Sequence, residues 1–252
     1  MSQESNENGG RWVPDDAFPP SRNAPCFCGS GERFKRCCGR GAQGISPRDL
    51  QVRAGYLDEP DRRRFAELGR RSPGERLKVV DVAASTAERT IRKLDDRRVT
   101  ERVNLGEAEP ELEALVRRAY REAVIPSLGR PLAWFERPQM LRYGPGGFYQ
   151  RHADSHNYSV EHNAWRKDLD RDVSLLIYLN DDYEGGALTF TALDYVLQPR
   201  GGMLVWFPSD QRFQHQAEPV SAGCRLAVVS WAAFEDEPRV CASPPEEAIP
   251  WE

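Results

Sequence analysis

Four histidines stand in this chain of 252 residues, at positions 152, 156, 162 and 215. The first belongs to Phe148-Tyr149-Gln150-Arg151-His152-Ala153-Asp154, just past the turn cluster Gly144-Pro145-Gly146-Gly147. On a β-strand, residues two apart point to the same face, so His152 and Asp154 would stand side by side. An imidazole beside a carboxylate is two thirds of a facial triad, the arrangement used for non-haem Fe(II). His215, which opens a predicted strand, is the candidate third ligand. His156 would keep to the same face if the strand ran on, which makes it an alternative to His152 or Asp154. A bend after Asp154 into a polar insertion is the expectation. His162 reads as a lid residue.

Ten residues beyond His215 comes Arg225, opening the apolar strand Leu226-Ala227-Val228-Val229-Ser230-Trp231. A cation on such a strand is costly to bury without an anionic partner, and Arg clamps a carboxylate bidentately where Lys cannot. Tyr149 and Trp231 fit either a cavity lining or the core, and aromatic residues in strands are commonly core. A second cluster precedes all of this. Cys26, Cys28, Cys37 and Cys38 are four of the six cysteines, and Gly29, Gly31 and Gly39 allow tight turns between them. Four thiolates at that spacing can close tetrahedrally on Zn²⁺, with no position left for chemistry. Cys224 and Cys241 read as ordinary thiols.

These residues need elements to hold them. From Trp134 onward the texture is short strands and turns. Strands are predicted at Pro138–Tyr143, Phe148–Asp154, Asp172–Asn180, Gly186–Phe190, Met203–Pro208, His215–Val220 and Arg225–Phe234. Such a run suits a double-sheet jelly roll, with Ser155–Arg171 as a polar insertion over the site. Upstream, helices are predicted at Pro47–Gly55, Asp61–Arg71, Ser85–Asp96 (opened by the capping box Ser85 to Glu88) and Glu109–Leu128. Leu77–Val82 reads as a short strand. The fold class is therefore α+β: a double-stranded β-helix with supporting N-terminal helices and a small zinc module. The expected divisions are a disordered 1–24, a zinc module at 25–40 and one large domain over 45–252, its jelly roll about 134–234.

Apolar residues make up 39% of the chain, enough for a sizeable core, and no run approaches a membrane span. Met1–Gly10 has neither a basic start nor an apolar centre, so no secretion signal is expected. The expected location is a reducing cytoplasm, where a thiol cluster reads as a metal site before disulfides. Net charge is −4, but Pro60–Asn104 carries thirteen Arg/Lys against eight Asp/Glu. Its arginine-rich helices offer a contact with RNA or a ribosome, or simply a solvated face.

Two families are resembled. Pro25-Cys26-Phe27-Cys28-Gly29-Ser30-Gly31 with Lys35, Cys37 and Cys38 is similar to the SEC-C zinc motif. The resemblance implies a structural zinc on Cys26, Cys28, Cys37 and Cys38, in a module that makes protein contacts. The stretch from about Trp134 to Phe234 resembles the Fe(II)- and 2-oxoglutarate-dependent oxygenases, prolyl 4-hydroxylase-like branch. It does so through His152-x-Asp154, His215 and Arg225, and through Leu141-Arg142-Tyr143-Gly144-Pro145-Gly146 and Leu176-Ile177-Tyr178-Leu179-Asn180. Glu184-Gly185-Gly186, Gly202-x-Leu204-Val205-x-Phe207-Pro208 and Pro219-Val220-x-x-Gly223 complete the pattern.

That resemblance implies an enzyme in which His152, Asp154 and His215 hold Fe(II). 2-Oxoglutarate chelates the metal and reaches Arg225, helped by the hydroxyls of Tyr178 and Tyr143. O₂ is the second co-substrate, ascorbate an optional accessory, and succinate and CO₂ are released as a substrate C–H bond is hydroxylated. Arg at 225, where some branches carry Lys, is nearer the oxygen-sensing prolyl hydroxylases. A prolyl residue of a protein is the implied target. Another side chain, a small molecule, or a non-catalytic adaptor built on the zinc module are the alternatives.

Overall fold

The structure is a computed structural model that describes residues 49–80, 92–159, 162–193 and 195–252, with isolated positions at 23, 33 and 36. Its first part runs β1 (Gln51–Arg53), α1 (Glu59–Arg71), β2 (Gly74–Arg76), β3 (Val79–Val80), β4 (Arg92–Lys93), β5 (Arg98–Val99) and β6 (Glu101–Val103). Then come α2 (Glu109–Ala119), a π-turn over Tyr120–Val124, α3 (Ile125–Leu128), β7 (Leu132–Glu136), β8 (Gln139–Tyr143) and β9 (Phe148–His152). The hairpin β10 (His156–Ser159) and β11 (Ala164–Lys167) leads to β12 (Val173–Tyr178), β13 (Tyr183–Gly185), β14 (Leu188–Phe190) and β15 (Tyr195–Leu197). The chain closes with β16 (Leu204–Pro208), β17 (His215–Ala217), β18 (Val220–Gly223), β19 (Arg225–Phe234) and β20 (Ala248–Pro250).

Two antiparallel sheets make the jelly roll. The larger runs β1-β16-β12-β19-β8-β6-β2, with β7 also on β19 and β20 on β7; the smaller runs β15-β14-β17-β9-β5. The alternation of strand side chains divides the larger sheet into two jobs. On β19, Leu226, Val228 and Ala232 face outward into a core shared with Leu112, Leu115, Val116 and Tyr120 of the long helix. Arg225, Ala227, Val229 and Trp231 of the same strand face inward and line a cavity. Strand β8 does likewise, sending Met140 to the helices and Leu141 and Tyr143 to the cavity. Each fully buried aliphatic side chain on the helix-facing side stabilises the sheet by about 1.5–3 kcal/mol. That packed layer is what gives the cavity a rigid wall.

The helices obey their sequence signals where packing agrees. In α1, Asp58 caps the N-terminus by accepting from the Asp61 amide at 3.0 Å, and Arg70 and Arg71 sit in the last turn, where they complement the helix dipole. The stripe over Glu109–Leu128 is helical throughout, but it steps through the π-turn before Pro126, a residue with no N–H to offer the ladder.

Several expectations are corrected. The helix expected over Pro47–Gly55 is absent from its described residues 49–55 (47 and 48 lie outside them): Gln51–Arg53 pairs as an edge strand with Leu204–Trp206, because the exposed edge of β16 offers the backbone a ladder. The helix expected over Ser85–Asp96 falls partly outside the described residues. Its described end is β4, paired with β3, followed by a turn in which the Asp95 carboxylate accepts from the Arg97 amide. The strand expected at His215–Val220 breaks into β17 and β18 around Pro219, which cannot donate to a ladder. The insertion Ser155–Arg171 holds a hairpin, pinned by the Tyr158–Trp165 cross-strand pair. The zinc cysteines Cys26, Cys28, Cys37 and Cys38, the N-terminal 1–22 and Val82 lie outside the described residues.

Arginine density on α1 has a plain physical explanation. Arg62 and Arg63 pair with Glu59, Arg64 with Glu111, Arg70 with Asp182 and Arg71 with Glu67. Each cation already has its carboxylate, as on a solvated face. No helix among the described residues is long and apolar enough to cross a membrane.

Candidate active site

The register of the smaller sheet brings the metal-ligating residue types together. Strands β9 and β17 are antiparallel neighbours with His152 directly opposite His215, and the ring centroids lie 4.4 Å apart. Asp154 follows two residues past His152. One ligand atom from each of His152, Asp154 and His215 lies within 4.8 Å of the others. The Nε2 of His152 is 3.5 Å and that of His215 3.8 Å from the Asp154 carboxylate. His156 is not part of this group. The chain bends after Asp154, and the His156 Nδ1 sits 2.7 Å from the Ser155 hydroxyl. His162 lies exposed in the hairpin turn, against Ser159.

The surroundings set the protonation of each group. The His152 Nδ1 faces the Gln150 carbonyl at 2.8 Å, and the His215 Nδ1 faces the Phe213 carbonyl at 3.0 Å. A carbonyl accepts only, so each Nδ1 carries the proton and each Nε2 lone pair is free for a metal. Burial pushes the His215 imidazole down to about 4, and the neighbouring His152 adds to this; it is neutral at pH 7. Burial works to raise Asp154, but His215, His152 and the Ser174 hydroxyl outweigh it and hold the carboxyl well below the usual range. Two imidazoles with their Nε2 atoms turned toward one carboxylate form a donor set that fits Fe(II).

Asp154 lies beyond the end of β9, so no ladder holds it. Its carboxylate Oδ2 accepts from the Ser174 hydroxyl at 2.6 Å, and Ser174 in turn meets Ser209 at 2.7 Å. Its backbone carbonyl accepts from Arg171 Nη1 at 3.3 Å. Arg171 forks onto Glu136, with Nη2 2.6 Å from Oε2, and lies 3.8 Å over the Trp231 ring. None of Ser174, Ser209, Arg171 or Glu136 was singled out from the sequence. The one available signal was Ser174, a small polar residue interrupting the apolar run Val173–Tyr178.

Arg225 sits deeper in the same cavity, 2% exposed. Its Nη1 donates to the Gly186 carbonyl at 2.6 Å, and its guanidinium lies 4.0 Å from the Tyr143 ring. Gly186 has φ +61°, and an added Cβ there would press on Tyr183 and Val220; glycine is what lets this carbonyl reach the cation. The Arg225 Nε is buried with no acceptor, and among the described residues no carboxylate pairs with it. Leaving a buried charge unpaired costs several kcal/mol, so the site fits an anionic group such as the distal carboxylate of 2-oxoglutarate. Tyr178 and Tyr143 line the cavity beside it. Burial pushes the Tyr178 phenol well up, with Arg225 offsetting part of the rise, so it stays a neutral hydroxyl.

The cavity holds about 890 Å³. Tyr149 and Trp231, which the sequence left between core and site, both line it, and the Tyr149 ring stacks on His152 at 3.6 Å. The C-terminal tail forms another wall through Ser243, Pro245, Glu246 and Glu247. It is fastened by Asp170, whose carboxylate accepts from the amides of Val240 and Cys241, and by β20 pairing with β7. Nothing in the acidic composition of the tail announced this.

Residues 138–233 match the family model of the 2OG-Fe(II) oxygenase superfamily, and residues 22–40 match that of the SEC-C motif. A PKHD-type hydroxylase of Stenotrophomonas maltophilia is 32% identical over 139 residues, covering 50% of this chain and 57% of the relative. Prolyl 3-hydroxylase 1 of Gallus gallus is 40% identical over 74 residues, 27% of this chain and 10% of the relative. The chain thus spans from a tenth to little over half of the length of these relatives. Among solved structures, a Pseudomonas putida prolyl-4-hydroxylase superposes with TM-score 0.50 at 25% identity, over 73% of this chain and 92% of that one. A Trichoplax adhaerens prolyl hydroxylase, in complex with a hypoxia inducible factor oxygen degradation domain peptide fragment, gives TM-score 0.55 at 17% identity, over 83% of this chain and 94% of that one. That second likeness speaks for the fold. Residues 138–233 thus match a 2OG-Fe(II) oxygenase domain.

Proposed function

We propose that this chain is an Fe(II)- and 2-oxoglutarate-dependent dioxygenase that hydroxylates a C–H bond, a prolyl residue of a protein being the target. His152, Asp154 and His215 would hold the iron, and Arg225 with Tyr178 and Tyr143 the distal end of 2-oxoglutarate. When bound, iron and keto acid supply the oxygen activation, coupled to release of succinate and CO₂. The observation that carries this reading is the pairing, in one cavity, of two Nε2 lone pairs beside a carboxylate with a buried, unpaired arginine. Either feature alone has other uses; together they match a metal and a dianionic keto acid.

The residues of this chain contribute geometry and exclusion of water. The carbonyls of Gln150 and Phe213 fix both imidazole tautomers. Ser174 and Arg171 hold the carboxylate ligand by its side chain and its backbone. Leu176, Leu188, Ala217, Ala227 and Val229 give the cavity apolar walls, which strengthens the attraction between Arg225 and a carboxylate. The prolyl target rests on similarity to the PKHD-type and prolyl hydroxylases. A structural Zn²⁺ on Cys26, Cys28, Cys37 and Cys38 rests on the SEC-C match.

The test is succinate release by protein prepared anaerobically and given Fe(II), 2-oxoglutarate and then oxygen. Turnover that disappears in His152→Ala and falls in Arg225→Ala is expected. Turnover that survives His152→Ala would remove the reading.

A further inference from the structure

Six arginines line the cavity: 97, 98, 102, 151, 171 and 225. Three are neutralised within the chain, Arg97 by Asp95, Arg102 by Glu247 and Arg171 by Glu136. Arg225 faces the proposed keto acid. Arg98 is left, and its placement is specific. It stands opposite Tyr149 in the β5–β9 register, with its guanidinium 4.5 Å from that ring. Its Nε is buried and has no acceptor. Exposed Arg151 follows on β9, and the Leu77 amide donates to the Thr100 carbonyl at 2.9 Å, which brings Lys78 to the same wall. Among the described residues, none of Lys78, Arg98 and Arg151 has an ion-pair partner. The tail also presents exposed Glu246 to the cavity.

We propose that this wall receives an acidic side chain of the substrate, so that the accepted protein segment carries Asp or Glu close to the oxidised residue. The proposal rests on the oxygenase reading and adds a substrate class to it. A carboxylate is the fitting group because a guanidinium fork takes it bidentately and with full charge. Two stacking layers separate Arg98 from His152, through the Tyr149 ring. That span corresponds to two to three residues of extended chain at about 3.3 Å each.

The experiment uses the full chain loaded with Mn(II) and 2-oxoglutarate, and fluorescent peptides of one Gly/Ala host sequence around a single proline. Asp, Asn or Lys is placed two or three residues to either side, and binding is read by anisotropy. At one of these positions the Asp peptide should bind at least tenfold tighter than the Asn peptide, with Lys weaker still. Arg98→Gln should bring Asp and Asn within about twofold, and Arg98→Glu should reverse the order in favour of Lys. Equal binding of Asp and Asn peptides, a preference that survives Arg98→Gln, or no binding by any acidic peptide would overturn the proposal. Succinate release by the same preparation reports the oxygenase reading separately. An active enzyme indifferent to Asp sinks only the present inference, and an inactive chain that still selects Asp sinks only the other.

Discussion

His152 and His215, sixty-three residues apart in the chain, are direct partners in the β9–β17 ladder, and their rings lie 4.4 Å apart. Register alone therefore decides whether the two imidazoles converge, since a slip of one residue would turn one of them to the opposite face. The strand is short, and the rings of Phe207 and Phe190 pack against His215 at 5.0 and 5.7 Å. These contacts hold His215 in an apolar wall while Asp154 is held by hydrogen bonds.

Ser174 is expected to matter beyond its size. Ser174→Ala removes the donor to the Asp154 carboxylate and leaves the fold otherwise intact. Loss of such a partner weakens metal binding by about 10–100-fold. Titration with Mn(II), followed calorimetrically, should show this weakening with little change in the Tm of the metal-free protein.

The Glu136–Arg171 pair separates stability from positioning. Glu136→Gln alone leaves a buried guanidinium short of its counter-charge and should destabilise the chain by about 3–5 kcal/mol in urea unfolding. The double variant Glu136→Leu/Arg171→Met should recover much of that stability, because an apolar pair of similar size is tolerated there. It has no donor for the Asp154 carbonyl, so its Mn(II) affinity should stay reduced. Full recovery of both properties would mean that Arg171 is merely a packing residue.

Arg225→Lys keeps the charge and loses the fork. Its affinity for 2-oxoglutarate should fall between that of the native chain and Arg225→Ala, with a loss of about 2 kcal/mol or more for the alanine variant. Isothermal titration of the Mn(II)-loaded proteins would order the three.

On the outer face of the sheet, Leu112 is 1% exposed within the helix–sheet core. Leu112→Ala should cost about 2–5 kcal/mol of stability while leaving Mn(II) affinity close to native, because the cavity lies on the other face. A parallel loss of metal binding would show that the two faces of the sheet are not independent.

What could be read in the sequence is what short-range chemistry determines. The two-residue spacing of His152 and Asp154, the lone cation on an apolar strand, and the helical stripe from Leu112 to Leu128 all survive in the structure. The residues that support the site did not announce themselves. Arg171 and Glu136 lie thirty-five positions apart and become partners only when β7 and the start of β12 flank the same stretch of β19 around Ala232. The tail wall depends in part on one carboxylate, Asp170, finding two amides about seventy residues away. Pro47–Gly55 went wrong for the same reason: the choice between helix and strand was made by a distant edge, β16, and not by its own residues.

The central claim is that His152, Asp154 and His215 hold Fe(II) in the same cavity in which Arg225 takes 2-oxoglutarate. Anaerobic titration with both, followed by visible absorption, tests it most directly, because the keto acid chelated to Fe(II) gives a charge-transfer band that neither gives alone. The native chain should show the band, Asp154→Ala should show none, and Arg225→Ala should require far more 2-oxoglutarate to reach it. A native chain with no band at saturating Fe(II) and 2-oxoglutarate, or an Asp154→Ala chain with an undiminished one, would contradict the account.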